Sequence, residues 1–480
     1  MNQSTPPRRT KIVATLGPTS NNPEMLESLI KAGVNIFRLN FSHGSHEEHQ
    51  LNINKIREAA DKLNSSVAIL QDLCGPKIRI TAVEGDNILL EDGASVVLRP
   101  ALPGSISNIN EIFVETLDPI RFLNVGEPVL LSDGIISLTA TSKDSNGVTC
   151  KIVKGGKLRS KVGIAFPDSD VDLPATTEKD ILDLAFGVKN KVDYVAISFI
   201  RDVSDADRIK DEIKRLGGDA HIIGKIERKD AIKNLKELCK ACHGMMVARG
   251  DLGLELPLEQ VPRVQKEIIE TCNHAGIPVI VATQMLSSMV TAIRPTRAEV
   301  SDVSAAVMQG ADAVMLSEET AIGQNPIECV NYLNAIALEA EKTFEFEEYK
   351  LRLLGADSST VSDAVAYASC AAANKVKASA LIACTASGSS VRLLAKYRPQ
   401  QPLYGSSVFP ATLRRMSLYW GVTPISVRNN SKNHLEELTS AINTLRELDC
   451  LPTKSRVVIT GGIEVNKPGS TSVMEIREIE

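Results

Sequence analysis

The sequence predicts an α/β protein: an eight-fold (β/α) barrel interrupted by a small all-β unit and followed by a C-terminal α/β unit. Three observations carry this prediction. Short apolar strand-like runs recur with amphipathic helical stretches between them; one interval is far too long for a single crossover; and beyond the last run the alternation starts again. A chain of 480 residues exceeds what one hydrophobic core accommodates, so roughly two to four domains are expected.

In order, the runs are TKIVATLG, NIFRLNFS, VAILQDL, YVAISFI, HIIGKIE, MMVARGDL, PVIVATQM and AVMLSEET, ending near positions 17, 42, 73, 200, 227, 252, 285 and 320. Most steps are about 25 to 35 residues, the length of a βα unit, and eight such units make a TIM barrel. The step from Leu73 to Tyr194 is the exception. It is rich in Val, Ile and Leu and broken by the turn signals EGDN, EDG, SDG and DSNG. Residues 76–171 are therefore expected to form an all-β domain, inserted after the third strand of a barrel spanning 1–75 and 172–345 and projecting from its C-terminal face. Past Gly323 a helical connector leads into a C-terminal domain expected over 346–480, whose own pattern starts near Asp357. There the helix DAVAYASCAAANKV precedes the strand SALIACTA, and further pairs follow to RVVITGG.

Composition narrows the partners. Hydrophobic residues at 43% and charged residues at 24% are those of an ordinary globular protein. A net charge of −5 offers no broad basic surface, so neither nucleic acid nor a membrane surface is expected as a partner, and any anion site must be local. A short polar tail passes directly into the first strand, and no apolar run reaches membrane-spanning length; a cytoplasmic location is expected. Nine scattered cysteines, an odd number, argue against a disulfide framework. CKACH, Cys239 to His243, has the spacing of covalent haem attachment, but with no export signal it reads as a helix end before a strand.

Chemistry collects where the runs end. In NIFRLNFSHGS the polar residues Arg38, Asn40 and Ser42 alternate with apolar ones and so share one face of a strand; a guanidinium on that face needs an anionic partner. Further along come Asp72, Lys225 and Glu227, Asp251, Thr283, and Ser317 with Glu319, each at the C-terminal end of a run, where barrel active sites lie. Any one of these could be a solvated strand end; all of them together are not. Lys225 and Glu227 are two apart and project to the same side, which fits a structural ion pair as well as a catalytic one. Asp251 follows Arg249 and Gly250, and the glycine lets an anion approach backbone N–H groups. Two carboxylates from neighbouring units, Glu227 and Asp251, suit a hard divalent cation such as Mg²⁺ shared with a substrate.

The motifs RLNFSHG, GPKIR, GKIE, ARGDLG, ATQML, RPTRAE and MLSEETA, in this order across an interrupted barrel, closely resemble those of the pyruvate kinases, and the resemblance covers essentially the whole chain. It implies phosphoryl transfer from phosphoenolpyruvate to ADP, giving pyruvate and ATP in the final step of glycolysis, by a homotetramer. By resemblance, Glu227 and Asp251 hold Mg²⁺ (or Mn²⁺); Gly250, Asp251 and Thr283 grip the substrate carboxylate; Lys225 and Arg38 meet the transferring phosphoryl; and Ser317 belongs to the proton relay. Asn40, Ser42, Asp72 and the carbonyl of Leu73 match the monovalent-cation (K⁺) site, and Asn40, His43 and Arg79 match nucleotide contacts. The stretch Thr385, Ser387, Gly388, Ser389 and Ser390 matches the loop where the family places a sugar-phosphate effector; a panel of sugar phosphates and AMP covers the candidates, and an ordinary helix cap accounts for the same residues.

The chain departs from the family pattern at several positions. Val162 and Ala165 stand where Lys and Asn are usual, with Lys161 one residue away, and Glu318 replaces a small residue. Lys77 stands where K⁺-dependent members carry Glu, so the K⁺ requirement is in question. Two other readings compete: a lyase using the same metal and enolate chemistry, and a non-catalytic binding paralogue. The insert argues against the first, since a lyase has no nucleotide to cover, and the full set Lys225, Glu227, Asp251 and Thr283 against the second.

Overall fold

A strand buried on both faces has no polar alternation to keep, and this is how six of the eight barrel strands read: KIVAT, AILQD, YVAI, GMMVA, VIVA and AVML are buried at every position. The computed structural model describes residues 8–353, apart from 170 and 172, and 360–479, apart from 429–432, 463–468 and 470. The strands are β1 Lys11–Thr15, β2 Ile36–Asn40, β3 Ala68–Asp72, β4 Tyr194–Ile197, β5 His221–Ile226, β6 Gly244–Ala248, β7 Val279–Ala282 and β8 Ala313–Leu316. All run parallel and close in chain order, β8 returning to β1 through Ala14 opposite Leu316. The expected fold class is the observed one.

Several runs stop being strand earlier than the sequence pattern indicates. MMVARGDL leaves the sheet at Ala248, and Arg249–Glu255 is helical; AVMLSEET leaves it at Leu316, and Glu318–Ala321 is helical. The ladder explains this, because Ala248 opposite Ala282 is the last pairing of β6 with β7, and beyond it the backbone must find local partners. Asp251 is thus presented by a helical turn following β6 and not by the strand itself.

Between β3 and β4 the chain builds its own apolar core, including Ile80, Leu98, Val129, Leu138 and Val148. A six-stranded sheet runs Ile164–Ala165, Pro128–Leu131, Ile136–Asp144, Gly147–Lys154, Ser95–Pro100, Glu111–Val114, beside a ribbon of Gly156–Arg159 and Asn87–Leu90. The DSNG signal is the turn of the longest hairpin: Asp144 Oδ1 accepts the N–H groups of Asn146 and Gly147 at 2.7 and 3.1 Å.

The C-terminal unit has a five-stranded sheet in the order Val422–Ser426, Leu403–Ser407, Ala380–Cys384, Arg456–Gly462, Thr471–Glu478, with only the last strand antiparallel. The helix before its central strand is Val361–Lys375; the expected start near Asp357 lies outside the described residues. This unit caps the N-terminal ends of the barrel strands. Arg398, only 1% exposed, donates to Asp312 Oδ1 at 2.8 Å and lies 4.7 Å from the ring centre of Trp420. Asp193 accepts from Arg57 and from Arg414, each at 2.7 Å, and Lys11 Nζ donates to the carbonyl of Val422 at 2.7 Å. With that end covered, the C-terminal mouth of the barrel is left to the loops and the insert.

The nine cysteines are free thiols. Cys239 lies in the last turn of a helix, Leu235–Ala241, and Cys242 follows it as the C-cap before β6; burial pushes the Cys242 thiol up to about 12. CKACH is thus a structural helix-to-strand junction. Among the described residues no helix is long and apolar enough to cross a membrane.

Candidate active site

Lys225 is the hub of the barrel mouth. Carried by β5, its ammonium lies 3.2 Å from Asp72 Oδ1 and 2.9 Å from Glu227 Oε1, and it donates to Ser198 Oγ at 2.8 Å. On β2, Arg38 donates through Nε to Asp72 Oδ2 at 2.6 Å and through Nη1 to Thr15 Oγ1 at 3.1 Å. The anion that Arg38 meets in the protein itself is therefore the Asp72 carboxylate, and among the described contacts its Nη2 edge has no partner. Two cations and two carboxylates share a site in which Lys225 is 12% exposed, Asp72 2% and Glu227 1%.

Burial sets the electrostatics. It opposes the charge on Lys225, but Asp72 and Glu227 outweigh it and hold the ammonium above its ordinary range. Burial likewise pushes Asp72 up, and Lys225 with Arg38 more than reverses that, so Asp72 stays ionised. For Glu227 burial wins: with Asp251 adding to it and Lys225 opposing, the carboxyl is pushed up to about 7. Glu227 is the member of the cluster most in need of another cation.

Two oxygens make the same point geometrically. Glu227 Oε1 and Asp72 Oδ1 are buried and receive no hydrogen bond among the described residues, although each faces the Lys225 ammonium. Glu227 Oε2 accepts the N–H of Phe199 at 2.6 Å, which fixes the carboxylate and leaves Oε1 for a ligand. Asp251 stands beside Lys77, whose Nζ is 3.5 Å from its Oδ1. No group of three or more His, Cys, Asp or Glu side chains converges among the described residues. The donor set is one carboxylate oxygen paired only with the Lys225 ammonium and one partly exposed carboxylate, which fits a Mg²⁺ ion that keeps most of its coordination for substrate and water.

Next to this cluster, the Gly250 N–H donates to Thr283 Oγ1 at 2.9 Å, and Thr283 Oγ1 donates to the Ala282 carbonyl at 2.6 Å. Thr283 and Gln284 have φ of 71° and 53°, the left-handed region that non-glycine residues avoid. Arg249 secures this corner by reaching the Thr283 carbonyl at 2.5 Å and pairing with Asp302 at 2.6 Å. Ser317 is held by its N–H, 2.6 Å from Glu319 Oε2, while Glu319 Oε1 accepts the Leu286 N–H at 3.0 Å.

The remaining sequence candidates divide. Asn40 Oδ1 accepts the Ser42 N–H at 3.2 Å, and the Leu73 carbonyl accepts Ser198 Oγ at 2.6 Å, so these positions gather beside Asp72. His43 is exposed, its carbonyl accepting from His49 Nε2 at 2.9 Å, and Arg79 donates to the Lys161 carbonyl at 2.9 Å within the insert; neither touches the charged cluster. The Thr385–Ser390 loop lies in the C-terminal unit. Gly388, with φ of 88°, precedes the helix Ser389–Lys396 and no side chain caps that helix; the Gly388 N–H donates to Thr385 Oγ1 at 2.9 Å, Ser387 pairs with Ser389, and the buried Ser390 hydroxyl pairs with Thr471.

Two residues that the sequence reading passed over complete the site. Ser198 bridges Lys225 to the Leu73 carbonyl, and Thr15 receives Arg38. Both follow the rule that found the others, for each lies at the C-terminal end of a barrel run, YVAISFI and TKIVATLG.

Comparison with known proteins points the same way. Residues 7–330 match the family model described as pyruvate kinase, barrel domain, and residues 363–477 match pyruvate kinase, alpha/beta domain. A pyruvate kinase of Geobacillus stearothermophilus is 40% identical over 98% of this chain and 80% of its own length. Pyruvate kinase 2 of Synechocystis is 40% identical over 100% and 81%, and a pyruvate kinase of Staphylococcus aureus 39% over 98% and 80%.

Proposed function

Because the chain belongs to the pyruvate kinase family, and so transfers the phosphoryl group of phosphoenolpyruvate to ADP in the last step of glycolysis, we propose a division of that work among the residues at the barrel mouth. The observation that carries the proposal is the buried network of Arg38, Asp72, Lys225 and Glu227. In the reaction an oxygen of the ADP terminal phosphate forms a bond to phosphorus as the bond to the enol oxygen breaks. The enolate left behind takes a proton at carbon. Little covalent work falls to the protein, so positioning and charge neutralisation dominate.

Lys225 Nζ, kept charged by Asp72 and Glu227, stabilises negative charge on the phosphoryl oxygens. Arg38, oriented by Asp72 and Thr15, presents its remaining donors to the same group. Thr283 Oγ1 and the N–H groups of Gly250 and Asp251 receive the substrate carboxylate; in the free protein the first two satisfy each other, an exchange the substrate undoes. Ser317, fixed through Glu319, takes part in moving the proton to the enolate. Glu227 and Asp251 would hold Mg²⁺, which when bound neutralises substrate charge and polarises the enol oxygen. Members of the family generally use Mg²⁺ and K⁺. In this chain the Asp72 carboxylate of the K⁺ position is already shared by Arg38 and Lys225, and Lys77 adds an ammonium nearby, which supports activity without K⁺.

His43 and Arg79 contact ADP, the Thr385–Ser390 loop binds a sugar-phosphate or AMP effector, and the enzyme works as a cytoplasmic homotetramer with domains at 1–75 with 172–345, 76–171 and 346–480. The test of the site is Arg38→Ala. Steady-state ATP formation should show kcat/KM for phosphoenolpyruvate reduced at least about a hundredfold, with KM for ADP changed only a few-fold. An unchanged kcat/KM would remove Arg38 from the mechanism.

A further inference from the structure

A cavity of about 1200 Å³ lies at the opposite end of the barrel from the active site. It lies where the C-terminal unit meets the N-terminal ends of β5 and β6, between His221 and His243 on the barrel side and Arg392 and Tyr419 on the other. Its lining carries four permanent cations, Lys210, Lys236, Lys240 and Arg392, against one carboxylate, Glu237. These charges are poorly compensated. Lys210 has an exposed Asp207 at 3.1 Å, Lys240 has Glu237 at 3.6 Å, and Lys236 enters no ion pair among those described. In a protein of net charge −5, a concave surface of this sign marks a place for an anion.

The cavity also has directed donors and flat surfaces. The Ile222 N–H donates to His243 Nδ1 at 3.1 Å, so the neutral ring carries its proton on Nε2. His221 stacks on His243 with ring centres 4.1 Å apart and planes 15° from parallel. Both imidazoles are held below their ordinary range, first by burial and then by positive neighbours including Arg392, as they would be in a basic, partly enclosed pocket. Arg392 joins the two units: it belongs to the helix Ser389–Lys396, and its Nη1 donates to the Gly276 carbonyl, which caps the barrel helix Val261–Ala275.

We infer that this cavity is a second anion site, separate from the active site and from the Thr385–Ser390 loop, which binds a small phosphate monoester by its lysines and Arg392. A phosphate there supplies the counter-charge the lining lacks. Because Arg392 is one of its ligands, occupancy is felt at the contact between the C-terminal unit and the barrel. A nucleotide and a sugar phosphate share this chemistry and differ in whether a base is present to lie against the imidazole and Tyr419 rings.

The test uses equilibrium dialysis of the full chain with Mg²⁺ at fixed ionic strength, with ribose 5-phosphate and AMP as probes, since the two differ by the base alone. Three proteins are compared: wild type, Lys236→Glu with Lys240→Glu, and the loop variant Ser387→Glu. Both lysines are exposed on the helix Leu235–Ala241, so their replacement spares the fold, and turnover at saturating substrate is expected to be unchanged. The expected result is saturable binding of at least one probe that is weakened at least fivefold in the lysine variant and less than fivefold in the loop variant. Equal affinity for the probes assigns the site to sugar phosphates, and tighter AMP binding to nucleotides. No saturable binding to wild type, a loss below fivefold in the lysine variant, or a loss of fivefold or more in both variants would overturn the inference.

Discussion

Glu227 Oε1 lies 2.9 Å from Lys225 Nζ while Glu227 Oε2 accepts the Phe199 N–H at 2.6 Å, so one carboxylate is divided between a buried ammonium and the backbone that fixes it. Removing Lys225 therefore does two things. It deletes the charge proposed to face the phosphoryl group, and it leaves Glu227 and Asp72 buried without their shared partner. Lys225→Met is expected to lower kcat by roughly 10³ or more with a small change in KM for phosphoenolpyruvate, because its contribution grows as charge develops. Thermal unfolding separates the two effects: a variant that melts near wild type and still turns over normally removes Lys225 from the chemistry.

Glu227 and Asp251 are expected to share the divalent ion. Changing either to Ala should raise the Mg²⁺ concentration required for half-maximal activity, and Mn²⁺ titration followed by electron paramagnetic resonance should show weaker binding in the same variants. Unaltered metal affinity in both would assign the carboxylates another task.

The position of the Glu227 carboxyl makes metal binding depend on pH. Burial pushes it up to about 7, above the ordinary carboxylate value, so at lower pH a proton competes for the oxygen proposed to bind the metal. Apparent Mg²⁺ affinity should thus fall by up to about tenfold per pH unit below 7 and level off above it. In Glu227→Gln the slope should vanish along with most of the affinity; a wild-type affinity that is flat from pH 6 to 8 contradicts the assignment.

Arg398 links the C-terminal unit to Asp312 at the base of β8, and Asp312 Oδ2 also accepts the Val279 N–H at 3.0 Å. Arg398→Met leaves a buried carboxylate with half its partners, and a loss of about 3 kcal/mol is expected. Chemical denaturation should show it as a lower midpoint, and the double variant Arg398→Met with Asp312→Asn should recover part of the loss. A single variant as stable as wild type would mean the pair is energetically idle.

The barrel was legible because its strands are buried on both faces, and an apolar run between helical segments has few other interpretations. Their ends were less so. Arg249, Gly250 and Asp251 break from the apolar MMVA, but a polar residue can close a strand as readily as open a helix, and only the last pairing, Ala248 opposite Ala282, shows where the sheet stops. The site was readable by one rule, that polar side chains at the C-terminal ends of barrel strands converge. Ser198 and Thr15 obey that rule too, but a lone hydroxyl in an apolar run satisfies itself on a nearby carbonyl as easily as in a site, so its residue type carries less signal than a charge. That Asp72 lies between Arg38 and Lys225 could not be read at all, because it depends on register between strands distant in sequence.

Lys77 offers the sharpest separation between this chain and the K⁺-dependent pattern its motifs resemble. Substrate, nucleotide and the carboxylates Asp72, Glu227 and Asp251 crowd negative charge into the barrel mouth, and a Glu at position 77 would add more, making a captured K⁺ necessary. Here the Lys77 ammonium stands 3.5 Å from Asp251, and Arg38 and Lys225 already flank Asp72, so the positive charge is built in covalently and no ion need be captured. Wild type should therefore be substantially active with Mg²⁺ in tetraalkylammonium buffer free of K⁺ and NH₄⁺, and Lys77→Glu should need added KCl. The opposing structural fact is that Asn40, Ser42 and the Leu73 carbonyl remain beside Asp72 and could still take a monovalent ion. The titration decides between them: if wild-type activity collapses without K⁺ and returns on adding KCl, the lysine does not replace the ion, and Lys77 serves only to neutralise Asp251.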